Sequence, residues 1–169
     1  MGRLTEEHVA KAMIQVERMS LEEKVRLSDE IHETQPNLLA SVLSLHKTEL
    51  SPADRELVFE LLLACYEAMR AEGGPWPLIT EDTQLVCLRR VVARLKATEG
   101  LLPATKDLVT KEQVETFPEK PLLAYVVHTL QQRGGEGMTD EAARYFVLCA
   151  LNLVESITWA AQEGDSGVH

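Results

Sequence analysis

The sequence predicts an all-α protein, and three observations carry that reading. Aromatic residues make up only 5% of 169 positions, while Leu, Ala, Glu and Arg are plentiful, a balance that suits helices over sheets. Apolar residues recur at three- and four-residue spacing along most of the chain. Hydroxyl caps, prolines and glycines fall where those stripes begin and end. Segmentation on these signals yields seven or eight helices. With 45% hydrophobic residues the chain can bury one core, so a single helical domain over 1–169 is expected.

Thr5 caps a first helix running to about Met19, with Val9, Ala12, Met13 and Val16 on one face and Glu7, Lys11, Glu17 and Arg18 on the other. Ser20 and Glu23 form the capping box of a second helix. Its stripe of Leu21, Val25, Leu27 and Ile31 is thin, which places it on the surface. Pro36 opens a third, in which Leu38, Leu39, Val42, Leu43 and Leu45 cover most of the circumference. The link Lys47–Leu50 is short enough to make this helix and the next antiparallel neighbours.

Ser51–Glu72 is the centre of the plan. Ser51 supplies a cap and Pro52 sits at the first helical position, where a missing N–H costs nothing. Leu57–Tyr66, LVFELLLACY, carries Glu60 as its only charge. A helix apolar nearly all round belongs inside a structure. The run is too short for a bilayer, which needs about 20 apolar residues. Gly73 and Gly74 supply the left-handed stop.

In the following GGPWPL break, Pro75 and Pro77 hold Trp76 in extended backbone. Trp76 can capture a partner or anchor the linker in a groove. Burial of a large apolar side chain, worth about 1.5–3 kcal/mol, favours anchoring. Thr80 caps a fifth helix to about Thr98, with a stripe of Leu85, Leu88, Val91, Val92 and Leu95. Arg89, Arg90, Arg94 and Lys96 crowd its other side, where the helix dipole welcomes cations. Gly100–Pro121 holds three prolines and is expected to be irregular, with one or two helical turns at Lys111–Thr116. Leu122–Gln132 is a further helix and Gly134–Gly137 a turn. Thr139–Glu163 closes the chain with an apolar run at Tyr145–Leu151 and a stop at Gly164, leaving 164–169 as a flexible tail.

The order of these elements repeats. Leu38-Leu39-Ala40-Ser41-Val42 and Leu122-Leu123-Ala124-Tyr125-Val126 stand 84 positions apart, a register that also lays Cys65 on Cys149. The caps Ser51 and Thr139 stand 88 apart, which lays Glu67 on Glu155. Leu4-Thr5-Glu6-Glu7 matches Ile79-Thr80-Glu81-Asp82 upstream. The ordered matches predict two tandem related halves, roughly 4–73 and 79–164, about a pseudo-twofold axis. A repeat of about 80 residues is far from the solenoid periods of roughly 33 to 47, so a closed domain is preferred to an open array.

Composition removes several functions. A formal charge of −10 opposes binding to nucleic-acid backbones. Three cysteines, Cys65, Cys87 and Cys149, with no CxxC pair and no secretory segment, suggest structural thiols in a cytoplasmic protein. No Gly-x-Ser-x-Gly elbow occurs. Asp29 and His32 form the one pair with iron-ligand spacing, and a di-iron bundle needs two such pairs. Neither a catalytic residue, nor a metal set, nor a cofactor is expected.

Two candidate sites remain. Glu56, Glu60 and Glu67 share one side of the central helix, as a solvated stripe or as carboxylates lining a pocket. Asn152, Glu155 and Ser156 form the matching strip on the last helix, and the two would meet near the axis if both faced inward. The candidate pocket is therefore Glu60, Glu67, Asn152 and Glu155; the candidate interaction surface is Trp76, Arg89, Arg90 and Arg94. The expected function is a cytosolic interaction or regulatory module, monomer or homodimer, acting on an unidentified protein partner. The alternative is a small-ligand binder or enzyme using the Glu60 and Glu155 strips. An interaction module leaves an apolar patch exposed, and a pocket protein has a concave interior.

Overall fold

A helix buried on every side must be wrapped by its neighbours, and α4 (Pro52–Glu72) imposes that plan. The computed structural model describes residues 2–133 and 140–166, which form eight α-helices and one short 3-10 turn. The start of α4 is set as its sequence dictates: the Ser51 hydroxyl accepts from the Asp54 N–H at 3.1 Å and Pro52 occupies the first helical position. Gly73 ends it at φ +84°, a backbone region that other residues enter at a cost. Between them Leu57, Val58 and every residue from Leu61 through Met69 are buried.

α1 (Glu6–Arg18) lies along α4 in the most extensive helix pairing of the fold, burying Val9, Ala12 and Val16. α2 (Leu21–Thr34) and α3 (Pro36–Leu43) pack on each other and on α4. The short turn Ser44–Lys47 then leads into α4. Beyond the linker, α5 (Glu81–Ala97) pairs with α8 (Asp140–Ser166), α6 (Pro103–Glu115) with α7 (Lys120–Arg133), and α7 with α8. α8 also packs on α4, so the two longest helices meet in one core.

Residues far apart in sequence are strapped together by Arg3. Its backbone N–H and that of Leu4 donate to the buried Glu119 carboxylate at 2.7 and 2.9 Å. Its guanidinium pairs with Glu72 at 2.6 Å, reaches the Pro75 carbonyl and lies 3.9 Å from the centre of the Trp76 ring. Gly2 must be a glycine here, because a Cβ would strike the Pro118 carbonyl oxygen. Gln35 does similar work for the linker, accepting from the Ile79 N–H and donating to the Pro77 carbonyl.

Three expectations are corrected. Gly100–Pro121 is not irregular with a turn or two: it holds the thirteen-residue α6, because Pro103 sits at a first helical position, where proline starts a helix instead of breaking one. α2 lies on the surface as expected, but its stripe is shorter than its spacing suggests: Leu27 and Ile31 are buried while Leu21 and Val25 stay exposed. α8 runs through the expected stop at Gly164 to Ser166, with the Arg3 guanidinium packed where a Gly164 side chain would be. The expected turn at Gly134–Gly137, the Thr139 cap and residues 167–169 lie outside the described residues.

α2 and α6 differ sharply in what they bury. α6 has no buried residue, and its Leu102 N-cap and Leu108 are 76% and 69% exposed. Chemical denaturation should register the difference. Ile31→Ala should cost about 2–5 kcal/mol as a core truncation, whereas Leu108→Ala should change stability by less than about 0.5 kcal/mol.

Candidate functional site

Because α6 stands off its neighbours, a cavity of about 460 Å³ lies beneath it. Helical spacing explains its walls. Val91, Arg94, Leu95 and Thr98 share one face of α5, Leu123 and Val127 one face of α7, and Leu151 and Glu155 one face of α8. α6 covers them with Lys106, Thr110, Gln113 and Val114, spaced four, three and one apart, and Phe117 follows just past its end. The volume falls within the range of small-molecule pockets, about 300–1,000 Å³. Its lining has the usual character of such pockets, mostly apolar with a few placed polar groups.

The placed charge is Glu155. Its carboxylate is almost wholly buried, and both oxygens accept from the two terminal nitrogens of Arg94, Nη2 to Oε1 at 3.0 Å and Nη1 to Oε2. A carboxylate taken out of water needs such a partner, and a two-point Arg contact is the strongest single one available. The Arg94 guanidinium also sits 5.3 Å from the centre of the Phe117 ring. Asn152 lies one position round α8 from Leu151, away from the cavity lining, its amide oxygen buried without a hydrogen-bond partner among the described residues.

The two acidic strips do not meet. Glu60 lines a separate, more polar cavity of about 490 Å³ between α1, α2, α4 and α7, together with Glu17, Tyr125, His128 and Gln132. There it pairs with Lys24 at 3.6 Å and Arg133 at 3.2 Å. Glu67 is buried on α4 against Arg70 at 2.8 Å, and Arg70 also reaches Glu30 at 3.3 Å. Each acid is thus answered by its own cation from nearby structure, and the pocket expected at the axis is filled by the core. Asp29 and His32 lie exposed on α2.

The expected interaction surface is divided in the same way. Trp76 is half-buried, donates its indole N–H to the Met69 carbonyl at 3.0 Å and carries Arg3 on its ring. Arg94 is engaged by Glu155, while Arg89 and Arg90 lie exposed. Burial pushes the Cys65 and Cys149 thiols up to about 12 and raises that of Cys87, which leaves all three poor nucleophiles. No described helix is long and apolar enough to cross a membrane.

Comparison with family models, with curated proteins and with solved structures finds no match to this chain.

Lys106, Thr110, Gln113 and Phe117 are the site residues that sequence reasoning missed. Their one-sided spacing was present, but the Pro103 start signal was read as a break.

Acid titration should separate two carboxylates, the buried Glu67 and the half-buried Glu72, whose pKa values shift in opposite directions. Burial raises the Glu67 pKa above its ordinary 4.5, against the pull of Arg70. The folded state therefore binds the extra proton just above pH 4.5, and stability falls as pH rises through that window. Glu72 is pushed up by burial but held below 4.5 overall by hydrogen bonds from Arg3 and Gly74. Its contribution is present above 4.5 and is lost as pH falls through the lower folded value. Thermal unfolding across pH 3 to 7 should show Glu67→Gln removing the first slope and Glu72→Gln the second.

Proposed function

We propose that this chain is a ligand-binding helical module whose site is the cavity between α5, α6, α7 and α8. The observation that carries the reading is the contrast between α2 and α6. α2 inserts Leu27 and Ile31 into the core, whereas α6 inserts nothing and roofs an apolar space with Lys106, Thr110 and Gln113. Leaving such a space open forfeits packing, at about 24 cal/mol per Å³ of residual cavity in the best-studied core truncations. A bound molecule would restore that packing.

The contrast gains weight if the halves are duplicates, which we include in the proposal. α1 with α4 matches α5 with α8, α2 with α3 matches α6 with α7, and α3 with α4 matches α7 with α8. The cross-contacts of α3 with α8 and of α7 with α4 exchange under the same operation. Two pairings have no counterpart of like extent: α2 with α4, against α6 with α8, and α1 with α7, against α5 with α3. On this reading the second half has given up one helix-packing contact and gained a cavity.

The interaction-module reading draws on exposed apolar side chains, chiefly Leu21 and Val25 on α2 and Leu102 and Leu108 at α6. These lie on two helices without an extensive mutual contact, whereas the cavity gathers side chains from four elements around the buried Glu155 carboxylate, with the exposed Glu99 at its edge. The ligand reading is the stronger.

Amide NMR with phenethyl alcohol, a neutral probe with an aromatic body, tests it. Saturable shifts confined to residues of α5 through α8 are expected, with affinity lost in Val127→Trp, which fills the space from α7. Shifts scattered over the surface, or unchanged in the filled variant, would sink the reading.

A further inference from the structure

We propose that the cavity takes an organic cation with an apolar body, its charged head on Glu155 and against the Phe117 ring. The inference rests on the cavity reading above and adds the chemistry of the ligand.

Arg94 and Glu155 are unequal partners. The Glu155 side chain is 5% exposed and the Arg94 side chain 41%. A long arginine with one open side can swing into water, where its guanidinium is readily solvated. The carboxylate, short and fixed to the buried face of α8, has no such exit. The permanent charge of the site is therefore negative, and the cation now on it is replaceable.

The way Arg94 is held shows what could replace it. Two nitrogens meet the two Glu155 oxygens while the guanidinium lies beside an aromatic ring, and a carboxylate with a ring is what an ammonium or guanidinium head is recognised by. Val91, Leu95, Leu123 and Val127 line the space beyond, suited to the body of an arylalkyl amine or guanidine. Arg94 is the internal stand-in for the ligand head. Lys106 does not argue for an anion: it is exposed and can turn outward, and an anionic head would stand beside a carboxylate that cannot leave.

Three probes with one phenethyl body test the charge: phenethylamine, phenethyl alcohol and hydrocinnamate, titrated into the full chain and followed by amide NMR. Phenethylammonium should bind on the order of tenfold tighter than the alcohol, and hydrocinnamate weakest. In Glu155→Gln the ammonium preference should vanish while the alcohol still binds. Arg94→Ala should raise ammonium affinity by removing the competitor. Should Glu155→Gln fail to fold, Phe117→Leu takes its place, with a reduced ammonium preference expected and an unchanged one counting against the proposal. Equal affinity for amine and alcohol, a preference for hydrocinnamate, or no gain in Arg94→Ala would overturn the cation assignment and leave the cavity standing. Failure of all three probes would overturn both.

Discussion

The structure depends on the burial of α4 around its whole circumference. From Leu61 through Met69 no side chain reaches solvent appreciably, so each quadrant needs an apolar face opposite. α1, α2, α3, α7 and α8 supply them. Even its charged residues obey: Glu60 finds Lys24 and Arg133 at one edge, Glu67 finds Arg70, and Glu72 at the end finds Arg3. An isolated carboxylate in such a place would shift its pKa or disrupt the packing. The answering cations come from the segment before α1, from α2, from α4 itself and from α7.

A second constraint closes the chain on itself. The proline-bracketed linker after Gly73 has to turn without helical hydrogen bonds, and buried backbone groups need partners. Gln35 and the Arg3 strap meet that need from opposite sides, while Trp76 seals the turn with its indole on the Met69 carbonyl. Glu119, at the head of α7, fixes the second half to the same strap through the Arg3 and Leu4 amides. Both attachments tie α7 to α4. Among the described residues α6 makes its one extensive helix contact with α7, which is why a space can persist beneath it.

Much of this was legible in sequence, and the failures share a cause. Caps placed α1, α2, α4 and α5 well because each has its signal inside its own segment: Thr5, Ser20, Ser51 and Thr80 all cap as their types suggest. α5 nonetheless leaves Leu85 and Leu95 of its expected stripe exposed and buries Thr83, Gln84, Cys87 and Val91 instead. The central burial of α4 followed from LVFELLLACY alone. The α6 region failed because a helix with little apolar periodicity has a weak signal, and Pro103 can be read two ways until its position is known. The candidate pocket residues are not gathered into one site, and Glu67 and Asn152 line neither cavity. Glu60 and Glu155 do line cavities, but different ones, because which helices surround a carboxylate is tertiary information. Arg94 was seen as a surface charge, since nothing local reveals that α5 turns it toward α8. Arg3 and Glu119 gave no signal at all, being single residues joined across more than a hundred positions.

The Arg94–Glu155 pair is a poor choice if stability is all that is at stake. Desolvating two charges costs much of what their attraction returns, and apolar residues of similar volume commonly serve as well or better. α5 and α8 already share a long apolar contact, with Val91 and Leu153 buried. Nothing in helix packing asks for an acid between them. The pair also stands at the wall of a cavity whose roof contributes nothing to the core, and its cation is the more exposed member. A structural ion pair gains most when both partners are fixed, since side-chain ordering then costs least. Here the acid is buried while its cation has one side open to water, an arrangement better suited to exchange than to support. The same reasoning separates this site from Glu60, which is itself a quarter exposed and held by two cations from separate helices, so no single swing uncovers it.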